Sequence, residues 1–169
     1  HSRAVRVLGH PLAGLSIFAA AVLVTHVPAV YDAALRDPFA HGLEHAVYLW
    51  TALVFWAPVV AADPLPHRLS PVGALGYLLA AMIPMSAVGA WLISSDAVAY
   101  SPYVAAARRL GVSALADQRT GATIMWLGGT LVLVGATLAA AWTSLVREER
   151  RARAREDRQV PAAAGGGPR

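Results

Sequence analysis

Long apolar runs separated by short polar segments dominate the pattern of this chain. A membrane-spanning helix needs about 20 predominantly apolar residues, and stretches of suitable length lie at residues 11–27, 41–62, 71–95 and 121–146. Backbone polar groups in lipid must bond within their own segment, so we expect these stretches to be helical. The pattern predicts an all-α fold, a polytopic membrane helix bundle with about four transmembrane helices in residues 1–146.

Prolines and a capping residue mark the ends of these predicted spans. Pro11 and Pro71 suit the first turn of a helix, where a missing N–H removes no intrahelical hydrogen bond. Ser70 can cap the third span. Pro28 is expected to end the first helix, and Pro84, within the third span, is expected to kink that span.

Basic residues indicate an orientation. All 14 are arginine, and most precede the first span, separate the second from the third, or follow the fourth. Because such residues accumulate on the cytoplasmic side, we expect both termini in the cytoplasm and the loops 28–40 and 96–120 outside. Residues 147–169 are expected to form an Arg-rich cytoplasmic tail, helical at first and disordered at its end.

The composition narrows the chemistry. The chain is 57% hydrophobic and only 14% charged, which makes membrane lipid its natural surroundings. Its net charge of +4 comes with the Arg-rich tail, so we expect no nucleic-acid partner. The absence of cysteine excludes disulfides, thiolate zinc sites and iron–sulfur clusters. Any soft-metal chemistry must therefore use His and Met.

Imidazole groups cluster near the predicted outer edge of the membrane. His26 ends the first span, and His41 and His45 begin the second, four residues apart and hence on one helical face. The same side of the bundle adds carboxylate and thioether groups at Asp32, Glu44, Asp117 and Met125, and Met82 and Met85 lie near the middle of the third span. Four spans thus bring metal-binding side chains to one side of the bilayer.

Imidazole with thioether is a ligand set that suits copper, because imidazole binds both copper oxidation states and thioether selects Cu(I). We predict a copper site formed by His26, His41 and His45, with Met85 and Met125 as auxiliary ligands. Asp32, Glu44, Asp117 and Met82 are expected to support these ligands or the entry path. Alternatively, the histidines simply meet water at helix ends, and the methionines fill gaps in the packing.

Two other metal sites fit the same residues. His41-Gly-Leu-Glu44-His45 matches the H-x-x-E-H pattern of inverted zincins, in which two His bind zinc and Glu acts as the base. Asp117 would then be the third ligand of a membrane zinc enzyme. His26 with His41 or His45 could instead hold a b-type haem axially, although such pairs usually lie deeper in a span. Both are less favoured than copper.

Several segments resemble a known family. His26-Val-Pro-Ala-Val-Tyr-Asp-Ala-Ala-Leu is similar to the WHLPxLYDAAL segment of the multi-span CtaG family of cytochrome c oxidase assembly factors, and His41-Gly-Leu-Glu-His45 is similar to its HxxEH segment. The resemblance covers roughly residues 10 to 145. Further similar stretches follow in the same order, at Phe55–Pro58, Arg68–Pro71, Met82–Met85 and Asp117–Trp126.

This resemblance implies a role in assembling haem–copper oxidases of the bacterial plasma membrane, by supplying copper to an oxidase subunit. The protein would be an assembly factor and not an enzyme; a metal-free scaffold is the alternative. Relatives usually have more spans, and some are fused to a CopD-like copper-resistance domain. We therefore expect N-terminal spans or a copper-import domain to be missing here. The family's motif residues correspond to His26, Asp32, His41, His45, Met82, Met85, Asp117 and Met125.

Overall fold

Helices make up nearly all of the backbone that can be described. The computed structural model describes residue 7, residues 9–60 and residues 69–159, and this part of the chain contains no strand. The predicted all-α class is therefore confirmed. The helices are α1 (Pro11–Thr25), α2 (Pro28–Arg36), α3 (Pro38–Val60), α4 (Pro71–Ser94), α5 (Ser101–Leu110) and α6 (Ala114–Gln159).

Three helices in the described residues are long and apolar enough to cross a membrane. They are α3, most of α4 and, within α6, the stretch Ala114–Glu156. Helices α1 and α2 are long and apolar enough to cross a membrane only when taken together, and they are bent by 72° relative to each other. Alone, the 15 residues of α1 span only about 22 Å, less than the bilayer core of about 30 Å. The bundle therefore has three or four spans, in agreement with the predicted polytopic architecture.

The bend between α1 and α2 follows from proline chemistry. Val27 is extended, with φ −62° and ψ 127°, because the ring of Pro28 disfavours a helical conformation in the residue before it. Pro28 also lacks the N–H that would continue the helix. Thr25 closes the last turn of α1 with a 2.7 Å hydrogen bond to the carbonyl of Ala21. Helix α1 therefore ends before Pro28, as the sequence predicts, and His26 lies at the bend.

Short polar side chains fix the starts of α3 and α4. The carboxylate of Asp37 accepts hydrogen bonds from the backbone N–H groups of Phe39 and Ala40, both at 3.2 Å. Helix α3 therefore begins at Pro38, slightly before the predicted boundary. The hydroxyl of Ser70 accepts from Gly73 N–H at 3.1 Å, which confirms the predicted cap.

The predicted outer loop 96–120 contains more helix than expected. Helix α5 lies within it and ends where Gly111 adopts φ 69°, a left-handed conformation that glycine tolerates without strain. Helix α6 begins at Ala114, before the predicted start at 121, because hydropathy marks the lipid boundary and not the first helical turn. It continues to Gln159, so the first part of the predicted tail is helical.

Two buried clusters hold the bundle together, stacked along the packed pair α4 and α6. The first cluster also joins α1 and α3, through the stacked rings of Phe18 and Phe55 at 4.5 Å. It contains Phe55, Tyr77, Leu78, Ala81 and Leu133. The second cluster lies nearer the end of the bundle that carries α2 and α5, and contains Val88, Leu92, Tyr100 and Ala122.

Some sequence predictions fall on residues 1–6, 61–68 and 160–169, which lie outside the described residues. They include several of the arginines used for orientation, the predicted end of the second span at residue 62, and the disordered end of the tail. The cytoplasmic location of both termini therefore stays a prediction.

Candidate functional site

His26 occupies the bend between α1 and α2, and its ring is oriented by the backbone. Its Nδ1 atom lies 2.7 Å from the carbonyl oxygen of Val22. Because a carbonyl oxygen can only accept, Nδ1 carries the proton, and in the neutral ring Nε2 carries the lone pair. A histidine held in this way by a backbone carbonyl has the tautomer and orientation typical of metal ligands.

A cavity of about 400 Å³ opens beside this imidazole, enclosed by α2, α4, α5 and α6 and the loop before α5. It brings together three of the predicted site residues, His26, Asp117 and Met125. This convergence was expected from their common depth in the bundle. The remaining lining consists of Tyr31, Leu92, Val98, Tyr100, Tyr103, Gln118, Gly121 and Ala122.

Tyrosines form much of the cavity wall. The rings of Tyr31 and Tyr100 stack with centroids 4.1 Å apart, and the hydroxyls of Tyr31 and Tyr103 lie 3.3 Å apart. Burial, followed by the neighbouring phenols and carboxylates, raises the pKa of Tyr100 to about 12. This phenol is therefore neutral at physiological pH and keeps the proton with which it can donate a hydrogen bond.

This tyrosine wall was not predicted from the sequence. A signal was present: Tyr100 immediately precedes α5, Tyr103 lies three residues farther on in its first turn, and Tyr31 lies in the first turn of α2. This spacing places the rings of Tyr100 and Tyr103 on one face at the start of α5. Without the fold, nothing in the sequence indicated that this face turns toward His26.

Asp32 anchors α2 to α5 beside the cavity. Its Oδ2 atom accepts hydrogen bonds from the Ser101 hydroxyl at 2.7 Å and from the Arg36 guanidinium at 3.1 Å. Arg36 also donates to the Ser101 oxygen at 2.7 Å. Within the described residues the other carboxylate oxygen, Oδ1, is buried without a hydrogen-bond partner. Asp32 thus links α2 to α5.

Gln118 ties the loop before α5 to α6. Its side-chain oxygen accepts from Ala99 N–H at 2.7 Å, and its amide nitrogen donates to the carbonyl of Leu92 at 3.2 Å. Next to it, Arg119 donates to the carbonyl of Ser95 at 2.9 Å. These hydrogen bonds hold the loop before α5 against α6, beside the cavity.

His41 and His45 form a pair on the first turns of α3. Their Nε2 atoms lie 3.2 Å apart and both residues are exposed, as the four-residue spacing predicts. The half-buried Glu44 lies between them in sequence and accepts a 3.2 Å hydrogen bond from the hydroxyl of Tyr48. Neither histidine lines the cavity beside His26. The predicted three-imidazole set is therefore divided between a cavity and an exposed helical face.

The methionines also separate. Met125 lines the cavity, whereas Met82 and Met85 pack against the first buried cluster. Met85 faces Gly129, since a Cβ atom built there would lie 2.0 Å from its terminal methyl. Gly129 is one turn along α6 from Met125, so Met85 lies about 6 Å deeper in the bundle.

No complete metal cage is present in the described part of the chain. Among these residues, no three His, Cys, Asp or Glu side chains lie close enough to hold one ion together. What the fold supplies is one imidazole, one thioether and one carboxylate around a cavity, and two adjacent imidazoles on a nearby exposed face. A metal bound at either place would need further ligands.

These features define a class: a polytopic membrane helix bundle whose polar and aromatic groups gather at one end of its spans. Residues 1–147 match the family described as cytochrome c oxidase caa3 assembly factor, CtaG. The chain belongs to this family. The resemblance identified from the His26 and His41 segments is thereby confirmed.

The chain is also similar in sequence to individual mycobacterial proteins. The chain is 26% identical over 161 residues to uncharacterized proteins of Mycobacterium bovis and Mycobacterium tuberculosis, matching 95% of this chain and 24% of each relative. A protein of Mycobacterium leprae is 24% identical over 163 residues. The chain thus spans about a quarter of the length of the curated relatives it matches. No solved structure matches it.

Proposed function

We propose that this protein binds copper at the outer edge of the bacterial plasma membrane and passes it to a subunit of cytochrome c oxidase. Membership of an oxidase assembly family supports a role in the assembly of cytochrome c oxidase. The histidine pair at the start of α3 supports the metal step. We infer a role in which the ion is handed on, so the protein need not be an enzyme.

The observation that carries this proposal is the 3.2 Å separation of the Nε2 atoms of His41 and His45. With metal–nitrogen bonds of about 2 Å, this distance corresponds to a bite of about 106°, close to tetrahedral. An ion would replace the proton that the two rings now share. Little rearrangement of α3 is needed, because both residues already project from one helical face.

Exposure of this pair favours transfer over storage. Two imidazoles leave open coordination positions, and an oxidase subunit could supply ligands there before the protein releases the ion. The buried ligand set of a storage site would have to be dismantled first. Imidazole alone does not distinguish copper from zinc strongly, so the soft Met125 thioether in the neighbouring cavity supports copper as the cargo.

His26 supports a second binding step. Its Nδ1–H bond to Val22 leaves Nε2 as the metal-binding nitrogen, and Asp117 and Met125 line the same cavity. We propose that the cavity and the histidine pair act in sequence, with Asp32 and Glu44 holding the surrounding helices. Met85 and Met82 would take part only if the ion moved about one turn deeper.

Copper binding by the detergent-purified chain tests the proposal. The protein is loaded with Cu(I) under reducing conditions, desalted, and its metal content is measured by mass spectrometry. We expect His41→Ala with His45→Ala to remove most of the bound copper and His26→Ala to remove part of it. His10→Asn is the matched control, because it deletes an imidazole and keeps a side chain able to cap α1.

The same measurement separates the alternatives. Zinc retained in preference to copper, with a hydrolytic activity lost in Glu44→Gln, would identify a zinc enzyme. A haem absorption band lost in His26→Ala would identify a haem protein. Unchanged copper content in the double variant rejects the histidine pair. If oxidase assembly in cells survives replacement of His26, His41 and His45 together, the protein is a metal-free scaffold.

A further inference from the structure

A second polar feature lies at the opposite end of α6, far from the histidines. One face of this helix carries a recess of about 210 Å³ between aromatic, apolar and cationic side chains. We propose that this recess binds the phosphodiester headgroup of an anionic phospholipid. It is called the Arg147 recess here and is lined by Trp142, Thr143, Val146, Arg147 and Arg150.

The depth of the recess places it at the lipid surface. At the other end of the span, Arg119 forms an ion pair with the exposed carboxylate of Asp96, 3.5 Å away. We place one membrane boundary at this pair, because charged groups are costly within hydrocarbon. A hydrocarbon core of about 30 Å takes about 20 residues of helix from there. Hydrocarbon then ends near residue 139, and Trp142 falls in the interfacial layer where indole rings accumulate.

The guanidinium groups of the recess are available. Within the described residues neither Arg147 nor Arg150 forms an ion pair, and both are exposed. Of the two glutamates between them, Glu149 pairs instead with Arg153 on the following turn. Two free guanidinium groups three residues apart on one helical face can bracket a single phosphate.

The mixed chemistry of the recess favours a lipid over a free anion. Trp142 is exposed and Val146 is half-buried, so an apolar surface adjoins the cations on the membrane side. A phospholipid would place its phosphate against Arg147 and Arg150 and its glycerol and upper acyl chain against Trp142. A soluble phosphate would use only the charged half.

Fluorescence quenching in reconstituted vesicles tests this proposal. The chain is placed in bilayers that contain phosphatidylcholine and phosphatidylglycerol, one of which is brominated in its acyl chain. Bromine quenches indole on contact, so the ratio of the two quenching curves gives the relative binding constant. We expect phosphatidylglycerol to be preferred roughly 30-fold, the value that corresponds to about 1 kcal/mol for each arginine.

Matched variants locate the effect. Arg147→Gln with Arg150→Gln should make the two lipids nearly equal. Arg151→Gln with Arg155→Gln removes the same charge from residues that do not line the recess, about one turn farther along α6, and should keep the preference. Trp142→Phe should remove the preferential quenching, because the remaining tryptophans lie elsewhere.

Three outcomes would overturn the proposal. Equal loss in both double variants would mean that net charge alone attracts the lipid. Preferential quenching that persists in Trp142→Phe would place the lipid elsewhere on the protein. Loss of the preference on addition of millimolar inorganic phosphate, at constant ionic strength, would show a soluble anion as the ligand.

Discussion

The hydroxyl of Tyr100 donates a hydrogen bond to the main-chain carbonyl of His26, with 3.2 Å between the two oxygens. The bond joins the loop before α5 to the bend between α1 and α2, although 74 positions separate the residues. Because Pro28 cannot donate to a carbonyl in the preceding turn, carbonyls near the bend need partners from other elements. Tyr100 supplies one of them and so helps to hold His26 in place.

Replacing Tyr100 with Phe should lower the free energy of unfolding by about 1 kcal/mol, because it leaves the His26 carbonyl without this donor while keeping the stacked ring. Thermal unfolding in detergent, followed by circular dichroism, measures the effect. Tyr103→Phe is the control: among the described residues its hydroxyl bonds only to that of Tyr31, at 3.3 Å in an exposed pair, and a smaller loss is expected. Equal stability of both variants would contradict the role of Tyr100.

Stability should fall at high pH because of the same residue. The pKa of Tyr100 is raised from 10.0 to about 12, chiefly by burial, so the unfolded chain loses this proton at lower pH than the folded protein does. Below pH 10 the group makes no pH-dependent difference, and above it the free energy of unfolding decreases until about pH 12. Melting temperatures between pH 8 and 12 test this, and Tyr100→Phe should reduce the slope.

Gly14 permits the close approach of α1 to α3 and α4. A Cβ atom at this position would lie 2.9 Å from the Tyr77 hydroxyl and 3.1 Å from the carbonyl of Val54. Since Tyr77 donates a 2.9 Å hydrogen bond to the Phe55 carbonyl, its hydroxyl cannot easily yield. Gly14→Ala should therefore destabilise the bundle by about 1–3 kcal/mol.

The control for Gly14 is another helical glycine with open space around it. A Cβ atom at Gly76 in α4 meets no described residue within 4 Å. Gly76→Ala should be neutral or stabilise the protein by up to about 1 kcal/mol, because alanine favours helix. Comparison of the two melting temperatures in the same detergent decides the question. A loss at Gly76 as large as that at Gly14 would point to helix propensity or lipid packing as the cause.

The link between α2 and α5 depends on Ser101. Its hydroxyl donates to Asp32 and accepts from Arg36, both at 2.7 Å. Ser101→Ala should weaken this link by about 0.5–1.5 kcal/mol, and the amides of α5 should exchange hydrogen faster. Ser94→Ala is the control, since in the part of the chain that the structure describes that hydroxyl donates only to the carbonyl of Trp91 within α4. Unchanged exchange in α5 would show that the helix is held by its apolar face instead.

The spans could be predicted from sequence because lipid imposes a simple length and polarity requirement. Pro28, Pro38 and Pro71 fall at helix starts because each lacks an N–H that a first turn does not need. Helix α5 was missed because it is short and polar, so hydropathy cannot distinguish it from a loop. Likewise, the early start of α6 reflects helical turns that lie outside the apolar stretch.

Part of the geometry of the candidate site could be predicted from the sequence. The four-residue spacing of His41 and His45 fixes their proximity through helical geometry alone, and a common depth brought His26 and Met125 to one cavity. Their division into a cavity and an exposed face could not be predicted, since it depends on how α1 bends and which way α3 turns. The depth of Met85 depends likewise on the pairing of α4 with α6 at Gly129.

The length of helix α6 has a mechanical consequence. Its 46 residues measure about 69 Å, more than twice the thickness of the hydrocarbon it crosses. The 17 positions that follow Trp142 up to Gln159 therefore form a stiff arm of about 25 Å. A protein bound at the end of this arm would be displaced sideways whenever the span tilts, so the bundle and the bound protein would move together as a single lever.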